Sequence, residues 1–187
     1  MKYSPGNRSR TAALLLALCW GLTAGNAVAE AGGPKPALKS LAADGQMAIS
    51  PRDRCPVCAM FPARRPDSAA AMTLTSGETF YFCSNGCLLR TWLRPGAYLG
   101  HDRSEIDRLV VWDYFSGRPI DARNAVWVAG SDVIGPMGPA IVALEDSGQL
   151  DTFNRRHHGK TVFRFDQLND DLWRRISTRD LPPAGSE

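Results

Sequence analysis

Four cysteines stand in two short pairs, Cys55-x-x-Cys58 and Cys83-x-x-x-Cys87, and Met60 follows the first pair by two residues. Two close thiol pairs present four soft donors on two short stretches of backbone, the layout of a closed tetrahedral zinc knuckle. The same residues also fit disulfides, with three connectivities, or an exchangeable site for a soft ion. Met60 tilts the balance toward the last. A thioether is a poor ligand for zinc and a good one for Cu(I), although a core-filling role is the commoner use of methionine. Met137 raises the same question, because it lies between Gly135-Pro136 and Gly138-Pro139, where no periodic pattern buries it. Among the histidines, His157 and His158 fall at the end of an expected helix, where the dipole alone accounts for them, and His101 stands beside Asp102.

These donors need elements to hold them. Pro51, Pro56 and Pro62 keep the first pair out of a helix, so it belongs to a loop or knuckle. Residues 70–75 and 78–82 are β-favouring runs about Ser76-Gly77, which predicts a hairpin that returns the chain to its start. Ser84 then fits an N-cap for a short helix, Cys87 to Leu93, stopped at Pro95-Gly96. Cys87 falls in the first turn, where backbone N–H groups favour a thiolate. Further on, residues 109–115, 125–129, 140–144 and 161–165 read as strands, and residues 145–157 as a helix closed at Gly159. Gly135 to Pro139 reads as an irregular loop. Both halves begin strand, Ser-Gly, strand and continue into a helix, a pattern of duplication.

The ends have different characters. Lys2, Arg8 and Arg10, the apolar run 12–22 and Ala27-Val28-Ala29 make a secretory signal peptide over residues 1–29, too short to span a membrane. Cys19 goes with it, and large Leu18 before Cys19 argues against a lipid anchor. Residues 30–50 read as a flexible arm, 51–102 as a Cys-rich metal-binding half, 103–177 as a second α+β half, and 178–187 as a disordered tail. Of the 22 basic residues three lie in the leader, leaving 19 against 19 acidic ones. Bulk charge therefore gives no reason to expect a nucleic acid partner or an anionic surface. No nucleophile elbow, HExxH or phosphate loop is present, so a binding protein is expected rather than an enzyme. A Cys55/Cys58 redox dithiol would need a following helix, which Pro62 forbids.

Asp53 to Met60, the aromatic Phe80-Tyr81-Phe82, Gly86-Cys87 and Pro136-Met137-Gly138 together resemble the NosL family, across about Asp53 to Leu168. These are exported copper-binding accessory proteins for nitrous oxide reductase. The resemblance implies an α+β fold of two small related ββαβ halves, the first carrying the Cys-rich knuckle, and a likeness in fold to organomercurial lyase. It implies Cu(I) as cargo, the periplasm as compartment, and as partners a copper-receiving enzyme and a membrane transporter complex. It nominates Cys58, Met60 and Met137 as ligands, with Cys55, Cys83 and Cys87 completing the site or holding a structural metal nearby. Ala59 stands where members commonly have Gly, and Cys83 where they commonly have an acidic residue. Phe82-Cys83-x-x-x-Cys87 is similar instead to the TRASH/YHS metal-handling modules, which keeps a second expectation open: a zinc-stabilised or heavy-metal-binding interaction module.

Overall fold

The computed structural model describes Met1 and residues 33–181, so the expected signal peptide lies outside the described residues, as does most of the tail. Among the described residues, no helix is long and apolar enough to cross a membrane. The fold is α+β.

The first sheet is built on the hairpin that the sequence predicts. β1 (Ala70–Leu74) pairs antiparallel with β2 (Thr79–Phe82), matching Ala71 with Tyr81 and Met72 with Phe80. The chain continues through α1 (Asn85–Leu93) and the short α2 (Pro95–Tyr98) into β3 (Ile106–Trp112). β3 returns along the other side of β1, and β4 (Pro119–Asp121) adds to its far edge. The strand order is β2-β1-β3-β4.

The second sheet repeats the pattern. β5 (Val126–Ala129) is its centre, with β8 (Val142–Leu144) on one side. After α3 (Leu150–His157), β9 (Thr161–Arg164) takes the other side. Each half is therefore ββαβ with its first strand in the middle. Between β5 and β8 sits a small hairpin of β6 (Ile134–Gly135) and β7 (Gly138–Pro139). α4 (Asp170–Thr178) closes the fold.

Several expectations are corrected. β3 was expected to open the second half near residue 103, yet it completes the first sheet, pairing Val110 with Ala71 and Leu109 with Met72 of β1. The Gly135 to Pro139 stretch forms a paired hairpin rather than an irregular loop, with Gly138 at φ 98° supplying the left-handed backbone. The described part of the expected flexible arm is packed. Leu41 joins Ala71, Tyr81 and Val110, with Ala37, Met47 and Ile49 against them, and the Leu41 amide donates to Thr79 Oγ1 at 3.1 Å. That cover explains why β1 and β2 are buried at every position, where a half-exposed sheet alternates. α4 was not anticipated: Asn169 caps it through its side-chain oxygen, which accepts from Leu172 N at 2.9 Å.

The two sheets share one core. Met72, Leu74, Phe82, Leu109 and Val111 of the first meet Trp127, Ala143 and Phe163 of the second. The other face of the second sheet, Val126, Val128, Val142 and Leu144, packs on Phe153 of α3. Asp113 fastens the corner between them. Its buried carboxylate accepts from Ser116 N at 2.7 Å, Ser116 Oγ at 2.6 Å, and Glu145 N, just past β8, at 2.8 Å.

Burial alone would raise the Asp113 pKa, but these hydrogen bonds outweigh it and hold the carboxyl below its ordinary value. A depressed folded-state pKa contributes stability that is fully present above the unfolded value of about 3.9 and is lost as pH falls through the folded one. Asp113→Asn should therefore cost about 1.5–3 kcal/mol at pH 7, since an amide cannot replace an ionised acceptor of several donors. Denaturant unfolding against pH checks this: the wild type should lose its advantage over the variant below about pH 4.

Candidate metal centre

The first cysteine pair sits on a tight knuckle. Ala59 N donates to Cys55 O at 2.8 Å, and Cys55 N donates to the carbonyl of Met60 at 2.8 Å. These bonds curl both thiols toward one side. The reversal requires Ala59 to be left-handed, at φ 59°. Arg54 braces the turn from outside, donating to Ala59 O at 3.1 Å with its guanidinium 3.8 Å over the Phe61 ring. Upstream, buried Asp53 fixes the approach by accepting from Leu38 N at 3.1 Å and Ser50 N at 2.6 Å.

The second pair lies at a strand-to-helix corner. Cys83 follows the last residue of β2, and Cys87 falls in the first turn of α1, whose cap Ser84 accepts from Cys87 N at 3.3 Å. Because the β1–β2 hairpin reverses the chain, this corner returns to the knuckle. All four sulfurs lie within 4.8 Å of one another, with Cys58 to Cys83 at 3.3 Å and Cys83 to Cys87 at 3.7 Å. A tetrahedron with metal–sulfur bonds of about 2.3 Å has edges of about 3.8 Å. The cluster is thus sized for one ion held by four thiolates. The thiols are free, so the disulfide alternative is not the arrangement found.

Crowding divides their protons unequally. The Cys55 thiol is drawn far down by S–H donation from Cys83, then from Cys87, against the cost of burial. Cys83 is pushed up by donating to Cys55, then by its contact with Cys87 and by burial. Cys87 is pushed up mainly by donating to Cys55, with burial adding to it. One negative charge is stabilised by its neighbours, and each further one is opposed. A soft cation removes that opposition by taking the place of the protons.

Access is one-sided. Cys55, Cys83 and Cys87 are buried, while Cys58 is half-buried. Cys58 and Cys87 border a cleft of about 950 Å³ that is also lined by the β6–β7 hairpin carrying Met137. Asn85, two residues before Cys87, donates through Nδ2 to Ile141 O at 2.9 Å and so ties α1 to the segment after that hairpin. The structure brings the four cysteines together but leaves both methionines exposed, Met60 at 38% and Met137 at 56%. Met137 shares the cleft with Cys58, and Met60 does not line it. Two of the histidines have other partners: His157 Nδ1 lies 2.8 Å from Asp132 and its Nε2 2.9 Å from the Tyr114 hydroxyl, and His101 Nδ1 lies 3.0 Å from Glu105. Sequence reasoning missed Asn85 and Arg54, and polar residues flanking each thiol pair were the available signal.

Comparison with known proteins agrees with the fold. The NosL family profile matches residues 46–173. The copper-binding lipoprotein NosL of Stutzerimonas stutzeri is 26% identical over 129 residues, covering 67% of each chain. The crystal structure of the copper chaperone NosL from Shewanella denitrificans matches with a TM-score of 0.55 at 22% identity, covering 68% of this chain and 98% of that one, a likeness of fold.

Ala59 gives a direct test of the knuckle. A left-handed residue with a Cβ costs about 1 kcal/mol, partly offset by the backbone entropy that glycine loses on folding. Ala59→Gly should raise stability by about 0.5 kcal/mol and Ala59→Val should lower it by more than 1 kcal/mol, both read by urea unfolding of the reduced protein.

Proposed function

The chain belongs to the NosL family, and from that membership we propose that it is a Cu(I) carrier that holds the ion at the cysteine cluster and passes it on. The observation that carries this reading is the asymmetry of the site: three sulfurs buried and one, Cys58, half-exposed on a cleft. A carrier must suppress free ion yet release it to a competing ligand. Release proceeds by ligand exchange, with an incoming donor joining the shell before a bound one leaves, and Cu(I) keeps its oxidation state throughout. Cys58 is the thiolate that can leave first, because its side chain can swing into the cleft. Met137, on the same cleft, and Met60, beside Cys58 in sequence, supply thioether sulfur, which favours Cu(I) over zinc as the coordination number falls.

In this reading the protein binds and transfers rather than catalyses. It works in the periplasm after loss of the leader, beside a membrane transporter complex, and its acceptor is nitrous oxide reductase or a related copper enzyme. Family membership supports that setting. A second reading rests on the closeness of the four sulfurs, which equally suits resident Zn(II) holding a TRASH-like interaction module together.

Titration of the reduced protein with Cu(I) and Zn(II) against chromophoric competitors separates the two. The carrier reading expects one tightly held Cu(I) that displaces zinc, at least about tenfold weaker binding in Cys58→Ser, and a smaller loss in Met60→Leu/Met137→Leu with the fold intact. An unchanged Cu(I) affinity in the double variant removes the methionines from the site. Zinc that copper cannot displace, with unfolding on chelation, establishes the second reading instead.

A further inference from the structure

The cleft beside the cysteine cluster has an apolar floor and a positive rim. Val57, Trp112, Ile141, Trp173 and Ile176 supply apolar surface, and the hairpin adds Met137 and Ile134, which is 64% exposed. The charges lining it are Arg65, Arg90, Lys160 and Arg179 against Asp67 and Asp113. Asp113 is buried and spent on Ser116 and Glu145, and Asp67 lies 3.7 Å from Arg65. Among the described residues, Arg90, Lys160 and Arg179 thus have no acidic partner, although basic and acidic residues balance after the leader. Beside the knuckle, Arg54 and Arg64 both lie against Phe61, at 3.8 and 5.0 Å from its ring centre, which adds positive charge near Cys58.

Unpaired cations around exposed apolar surface are the complement of an acidic, partly apolar ligand. A volume of about 950 Å³ is at the upper end of the range of about 300–1,000 Å³ for small-molecule sites. It admits a stretch of polypeptide. Cys58 faces that space, so whatever takes the ion from it must enter there. The geometry points to a docking site for an acidic segment of the metal-receiving protein, its apolar or thioether side chains on the floor and its carboxylates against Arg90, Lys160 and Arg179. This rests on the carrier reading for the identity of the partner, but not for the binding itself.

Two synthetic peptides test it, sharing a central Met-Ala-Met and flanked by aspartates in one and by lysines in the other. Binding is followed by the fluorescence of Trp112 and Trp173 on metal-free, reduced protein, and Cu(I) transfer is followed separately. The acidic peptide should bind at least about tenfold more tightly at low salt and lose that preference as salt rises. Lys160→Glu/Arg179→Glu should abolish or invert the preference, and so should Arg90→Glu, an independent change at an exposed site. Equal binding of the two peptides, or an acidic preference that survives both variants, overturns the docking site. Absence of tight Cu(I) with the acidic preference intact would instead overturn the carrier reading and leave the docking site standing.

Discussion

The architecture around the metal centre depends on one constraint: four thiols that repel one another when ionised are held within bonding distance of a single ion. S–H donation favours one thiolate among them, but a second beside the first is opposed by charge and by burial. Their approach is imposed by backbone. The knuckle contributes two sulfurs through the backbone bonds of Cys55 with Ala59 and Met60, and the β1–β2 hairpin brings the other two by returning the chain to the knuckle. The first sheet must therefore be rigid on both faces. The packed segment over Tyr81 and Ala71 provides one face, and the core shared with Trp127 and Phe163 provides the other.

The second half serves the first. Its sheet has the same ββαβ order but carries no thiols; it presents the β6–β7 hairpin, and with it Met137, on the cleft that Cys58 borders. Two polar contacts keep that wall in place. Asn85 joins the helix of Cys87 to Ile141, and Asp113 joins the end of β3 to the end of β8.

Much of this was legible in the sequence, for identifiable reasons. The hairpin announced itself through alternating runs about Ser76-Gly77, and α1 through Ser84 as its cap, because both signals are local. The meeting of the four cysteines followed from those two elements. What stayed hidden was long-range. The placement of β3 depends on its long-range pairing with β1, and its own pattern is compatible with either sheet, since Leu109 and Val111 face a core that both sheets share. The segment 33–50 has no period and reads as linker, yet it is fixed by three side-chain acceptors far along the chain, in Asp53, Thr79 and Tyr81. α4 was missed because its apolar stripe, Leu172 and Ile176, is short and set among arginines. Where Met60 and Met137 point could not be read from spacing, since a methionine beside a cysteine is equally at home in a core or a shell.

Retention and release place opposite demands on such a site. Four equivalent buried thiolates would hold an ion well and surrender it slowly, while an open pair would release it to any ligand. Cys83 completes the group of four, and a fourth thiolate favours retention. The exposure of Cys58 works the other way, because of the two cysteines that border the cleft it is the half-buried one, and it sits on a knuckle whose Ala59 is strained. Strain at Ala59 lowers the cost of local opening at the very residue that follows Cys58. In the carrier reading, the three buried thiols serve retention, and the half-buried Cys58 serves release to a ligand that enters the cleft.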